Sequence, residues 1–150
     1  MALKIPPLLL TLLFLLLIWL LASGLPVAVP PLPWQSELAL FFMVAGVMVC
    51  GAGVIHFCLQ RTTMNPRQPG TASRLVTTGV YGFSRNPMYL GFLLLIIGWS
   101  LYWAPLLLVL MPLAFVLYMN RFQISAEEQL LALRFGAEYQ RYRQQVRRWL

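Results

Sequence analysis

The chain has 150 residues, 60% of them hydrophobic and 10% charged. A soluble domain carries about 25% charged residues, so this composition cannot clothe a water-facing surface; it excludes disorder, collagen and a disulfide scaffold as well. The net charge of +7 comes from 11 Lys and Arg against 4 Asp and Glu, and the basic residues stand between and after the apolar runs, which is a topology signal rather than a nucleic-acid footprint.

In chain order, the first apolar run is Ile5 to Ala22. A hydrocarbon core needs roughly 20 apolar residues, so we expect a slightly short span over 5–22. A signal peptide is the alternative, given Lys4 and the small residues Ala22-Ser23-Gly24; a retained span is the reading adopted. Gly24 to Pro33 holds Pro26, Pro30, Pro31 and Pro33, which predicts a loop. The second run, 38–59, has no charge and predicts a second span. Its pairs Ala45-Gly46 and Ala52-Gly53 lie two turns apart and would let another helix approach closely. Cys50 and Cys58 share this run and read as buried thiols.

Residues 60–87 are polar and rich in arginine and proline. The third run, Met88 to Tyr118, has 31 residues without a charge. As one helix it would be about 46 Å long, too long for one crossing, and Pro105 and Pro112 interrupt it. The prediction is a short hairpin, 88–103 and 104–120, turning near Tyr102–Pro105. Ser125-Ala126-Glu127-Glu128 then matches a capping box that opens a last helix. That helix is expected to bend at Phe135-Gly136 and to lie at the membrane interface, with Tyr139, Tyr142, Val146 and Trp149 alternating with Arg141, Arg143, Arg147 and Arg148.

The expected fold is therefore an all-α integral membrane protein of four transmembrane segments with a C-terminal interfacial helix, forming one domain over 1–150. The loop at 23–37 has no Lys or Arg. The positive-inside rule then puts the N-terminus, the 60–87 loop and the C-terminus in the cytoplasm, in a multi-pass arrangement of a bacterial or archaeal type of plasma membrane.

No Gly-rich strand-turn-helix, no metal-spaced Cys/His set and no aspartate is present, so no metal site is expected. His56, the single histidine, reads as an interfacial or hydrogen-bonded group. The polar residues that remain flank the hairpin, in segments 73–91 and 120–142.

Within them stand Gly79-Val80-Tyr81, then Arg85-Asn86-Pro87-Met88-Tyr89-Leu90-Gly91 opening a helix, then Glu127-Glu128, then Phe135-Gly136-Ala137-Glu138-Tyr139-Gln140-Arg141-Tyr142. In order and spacing this set resembles the isoprenylcysteine carboxyl methyltransferase family and the related phospholipid methyltransferases, over roughly residues 54–149. The resemblance implies S-adenosylmethionine as methyl donor, with S-adenosylhomocysteine as product. It implies that Leu75, Val76, Tyr81, Asn86, Pro87, Met88, Tyr89 and Glu127 hold the donor. Helix-start amides after Asn86-Pro87 would suit its carboxylate, and Glu127 its ammonium or a ribose hydroxyl. Arg121 is the expected holder of an anionic acceptor, and Glu128 the expected proton acceptor or orienting group.

Three positions depart from the family pattern: Asn86 and Ser73 stand where histidines are common, and Gln123 stands where an acceptor-orienting arginine often does. The function so implied is methyl transfer to a lipophilic acceptor at the cytoplasmic face, on a carboxylate by preference, with membrane lipids as partners and no nucleic acid. A steroid-reductase-like nicotinamide enzyme and a non-catalytic lipid-binding protein are the two alternatives.

Overall fold

A computed structural model describes residues 5–24, 32–59, 75–103 and 110–150. They form α1 (Pro7–Gly24), α2 (Gln35–Leu59), α3 (Pro87–Trp103), α4 (Leu110–Tyr118) and α5 (Ser125–Gln145), with no strand among the described residues. Helices α1 and α2 are long and apolar enough to cross a bilayer. Only 22% of the α1 window and 17% of the α2 window is buried. Leu8, Leu9, Leu12, Leu13 and Leu16 point outward. A helix that is apolar all round and exposes its leucines is suited to lipid, not water. Helix α3 has 17 residues and is shorter. The central part of the predicted proline loop and the predicted hairpin turn at Pro105 lie outside the described residues.

Helices α2 and α3 run antiparallel along a seam of small residues. Ala39, Gly46 and Gly53 are the buried positions of α2, spaced by seven, and Gly91 and Gly98 answer them from α3. A Cβ on Gly46 would stand 2.7 Å from the Gly91 carbonyl oxygen, and one on Gly98 would stand 2.7 Å from the Ala39 carbonyl oxygen. The backbones therefore touch, and dispersion and close packing hold this pair where lipid offers no hydrophobic gain. Gln35 at the far end donates its Nε2 to the Leu101 carbonyl at 2.6 Å. Against expectation Cys50 is half-buried and Cys58 exposed; Cys50 borders the seam, where its backbone nitrogen lies against Gly91.

Helix α1 packs against α3 and α4. Leu10, Ile18 and Ala22 share a core with Tyr89, Ile96, Phe115, Met119 and Ile124. Phe14 meets Phe115 edge-on at 5.6 Å, and the Trp99 indole donates to the Leu15 carbonyl at 3.0 Å.

The predicted capping box does not form. Helix α4 passes without a break through a π-helical stretch, Met119–Ile124, into α5. Ile124 is helical (φ −63, ψ −43) and Ser125 caps nothing. The wider π turn releases carbonyls from the regular ladder, and the Ser125 hydroxyl donates to one of them, the Asn120 carbonyl, at 2.5 Å.

The expected bend is present. Gly136 has φ 48 and ψ −120, a backbone conformation in practice reserved for glycine. It turns the last half of α5 back so that Tyr139, Tyr142 and Val146 pack with Leu75 in a second small core. Arg141, Arg143 and Arg147 stay exposed, but Arg148 and Trp149 do not lie on an outer interface face as expected: both turn inward.

Candidate active site

The two cores meet where α3 begins. The Asn86 carbonyl accepts the first helical bond of α3, from the Leu90 N–H at 2.9 Å, and Pro87 occupies the first helical position, where its fixed φ suits it. The Asn86 N–H donates to the Ser84 hydroxyl at 3.1 Å. The Met88 and Tyr89 N–H groups, next in the first turn, donate no hydrogen bond to the described residues.

Tyr89 reaches from this first turn to α5. Its hydroxyl donates to Glu127 Oε1 at 2.6 Å. Gln123, in the π stretch, donates its Nε2 to the same oxygen at 2.6 Å and lies 3.3 Å from the Tyr89 hydroxyl. Both bonds fall on Oε1, so Oε2 accepts neither. Burial pushes the Glu127 carboxyl up to about 7, with the nearby Glu128 adding to the rise and the bonds from Tyr89 and Gln123 holding it back.

Above this cluster is the turn Gly79–Gly82. Gly79 has φ 63, and a Cβ there would stand 2.6 Å from the His56 ring. Glycine is needed both for the backbone and for the histidine. His56 Nε2 is 3.1 Å from the Thr78 hydroxyl, so His56 is hydrogen-bonded and shapes the turn. The turn buries Tyr81, whose carbonyl accepts from the Tyr142 hydroxyl at 2.7 Å. Among the described residues the buried Tyr81 hydroxyl has no partner. Burial raises its pKa well above the ordinary tyrosine value, and Tyr142, Cys50 and Glu127 are near enough to add to it.

Glu128 faces away from this cluster. One oxygen pairs with the Arg85 guanidinium at 3.1 Å. Arg148 engages both oxygens, Nε to Oε1 at 3.1 Å and Nη2 to Oε2 at 2.6 Å. The side chains of Arg85 and Glu128 are only 9% and 12% exposed, so this is a largely desolvated pair that would be costly to break. Arg85 also donates to the Tyr139 hydroxyl at 3.2 Å. A carboxylate so occupied is an organising group.

Of the expected site residues, Tyr81, Tyr89 and Glu127 come together under the turn opened by Asn86 and Pro87. Leu75 and Val76 are buried, Leu75 against the tyrosines of α5. The Met88 side chain packs into the seam at Gly53. Arg121 is not brought to the cluster: it is exposed on the outer face beside Phe122, which is 60% exposed. Gln123, a departure from the family pattern, is buried inside the cluster, and its spacing of four from Glu127 on one helix is the sequence signal for that contact. Arg148 and Asn120 carried no local signal, because only tertiary folding brings them together.

A family model described as phospholipid methyltransferase matches residues 34–138, which takes in α2, α3 and every residue of the Tyr81–Tyr89–Gln123–Glu127 cluster. The chain belongs to the phospholipid methyltransferase family. It is therefore a membrane protein of a methyltransferase family, as the motif pattern implied. An uncharacterized protein of Haemophilus influenzae is 48% identical over 63 residues, which is 42% of this chain and 100% of that protein. No solved structure matches this chain.

Proposed function

We propose that this protein transfers a methyl group from S-adenosylmethionine to a lipophilic acceptor at the cytoplasmic face of the membrane. The observation that carries this reading is the cluster of Tyr89, Gln123 and Glu127 beneath the buried Tyr81 hydroxyl, which has no partner among the described residues. These residues fit the donor's polar groups. The Met88 and Tyr89 amides, unpaired among the described residues, suit its carboxylate, Glu127 Oε2 suits its ammonium, and the Tyr81 hydroxyl can answer a ribose or adenine atom. The donor supplies an activated methyl on a sulfonium, and the chain's own task is to bind, orient and exclude water. Tyrosine rings beside a sulfonium add a favourable quadrupole.

The acceptor would enter sideways from the bilayer. A carboxylate acceptor needs a cation at the site, and Arg121 faces outward while Arg85 and Arg148 are engaged by Glu128. A neutral or amine nucleophile fits the acidic cluster better. Family membership favours methyl transfer over nicotinamide chemistry. The cytoplasmic placement rests on the charge-free 23–37 segment and the basic residues that flank the other ends of the apolar helices.

Calorimetry with S-adenosylhomocysteine, on protein in lipid nanodiscs, tests the donor site. Binding should be seen, and Tyr89→Ala should weaken it by about tenfold or more, the loss expected for a hydrogen bond to a charged group. No heat from well-folded wild-type protein would refute the proposal.

A further inference from the structure

Helix α5 ends where Val146 becomes extended (φ −120, ψ 132). The last residues then run beside the turn Ser84–Asn86. The Arg85 N–H donates to the Arg147 carbonyl at 3.0 Å. The Arg148 carbonyl accepts from Asn86 Nδ2 at 2.9 Å and from the Ser84 hydroxyl at 3.5 Å. The Arg148 side chain reaches back to Glu128 with two nitrogens and to Asn120 Oδ1 at 3.4 Å, which also takes the Trp149 indole N–H at 3.1 Å. This segment thus ties together the turn that opens α3, the π stretch and α5, through contacts that are mostly polar and converge on Arg148.

We propose that the C-terminal segment 146–150 is a built part of the donor site, with Arg148 as a positioning residue. It acts through Asn86 and Glu128 and touches no reacting atom. Its backbone carbonyl holds the Asn86 side chain, and Asn86 stands just before the first turn of α3, whose Met88 and Tyr89 N–H groups are unpaired among the described residues. Its guanidinium fixes Glu128, the neighbour of Glu127. A lysine could keep the charge but not the two-nitrogen fork. The inference rests on the donor reading above, and it goes beyond that reading by assigning a role to residues outside the family match.

The test uses the full chain in lipid nanodiscs, with S-adenosylhomocysteine as probe, and compares wild type with Arg148→Ala, Arg148→Lys and Arg147→Ala. The Arg147 side chain is exposed, and only its backbone carbonyl is used. Arg148→Ala should weaken binding by about tenfold or more, the loss expected when a charge-assisted pair is removed. Arg148→Lys should fall between, and Arg147→Ala should match wild type. Added guanidinium ion, well below denaturing concentration, should restore binding in Arg148→Ala and leave wild type unchanged. Should Arg148→Ala fail to fold, Arg148→Lys carries the comparison. If wild type binds and both Arg148 variants bind equally well, the inference is overturned. Loss of binding that only follows a collapsed melting transition, with no guanidinium rescue, makes the tail a structural staple and also overturns it. If wild type itself does not bind, the donor reading fails and this inference falls with it.

Discussion

If the proposed donor binds at Glu127, its binding should titrate with that carboxyl. Its folded pKa of about 7 lies above the ordinary 4.5, because burial disfavours the charged form. Folded protein therefore holds a proton that unfolded protein has released between those values. The sign follows: Glu127 lowers stability progressively as pH rises from about 4.5 to about 7, by roughly 3 kcal/mol in all, and adds nothing further above that. A ligand that places an ammonium against this carboxyl binds its charged form. Below about pH 7 the carboxyl must first lose its proton, so affinity should fall by about tenfold per pH unit and level off above. Binding near pH 6 should release about one proton per ligand, measured by calorimetry in two buffers of different ionisation enthalpy. Glu127→Gln retains acceptors for Tyr89 and Gln123 and should abolish both the slope and the proton release. It should also weaken binding at high pH by about ten- to a hundredfold. A wild-type affinity that is flat between about pH 5 and pH 7.5, with no proton released, would refute the placement of a cation at Glu127.

Other residues give sharp expectations. Glu128→Ala strands two guanidinium groups and should lower stability by about 3–5 kcal/mol, seen as a fall in Tm in detergent; a lost helix cap would cost only about 0.5–2 kcal/mol. Gly136→Ala forces a side chain onto a positive φ and should cost about 1–3 kcal/mol, with a loss of near-ultraviolet circular dichroism as Tyr139 and Tyr142 leave their core. Gly91→Ala puts a Cβ 2.7 Å from the Cys50 amide nitrogen; it should push α2 from α3 and lower stability by about 1–3 kcal/mol, whereas Gly51→Ala, with open space at its Cβ, should be neutral in the same melting assay.

Much of the fold is written locally. Long apolar runs specify α1 and α2, Gly46 and Gly53 announce a close partner, and Asn86-Pro87 starts α3 because proline can begin a helix but not continue one. Gly136 marks its bend, since few other residues adopt that backbone. The failures have one cause, which is tertiary context. Ser125-Ala126-Glu127-Glu128 has the composition of a cap, yet the core contacts of Met119 and Ile124 carry the helix straight through it. Gln123 stands four residues before Glu127 and Arg121 seven before Glu128, so both spacings permit a shared helix face, and neither says which face turns inward. The π stretch decides, burying Gln123 and exposing Arg121. Arg148 looked like one more interfacial arginine until the tail folded back on the turn before α3.

The central claim is that Tyr89, Gln123 and Glu127 bind a methyl donor for transfer to a lipophilic acceptor. Its most direct test is to incubate the protein in native lipid extract with S-adenosylmethionine carrying a trideuterated methyl group, and to follow the extract by mass spectrometry. The account predicts that the label appears in an apolar product, at wild-type level in Arg147→Ala and at about one-hundredth or less in Glu127→Gln. Labelled product formed equally well by Glu127→Gln, or no labelled product from folded wild-type protein that binds the donor, would contradict it.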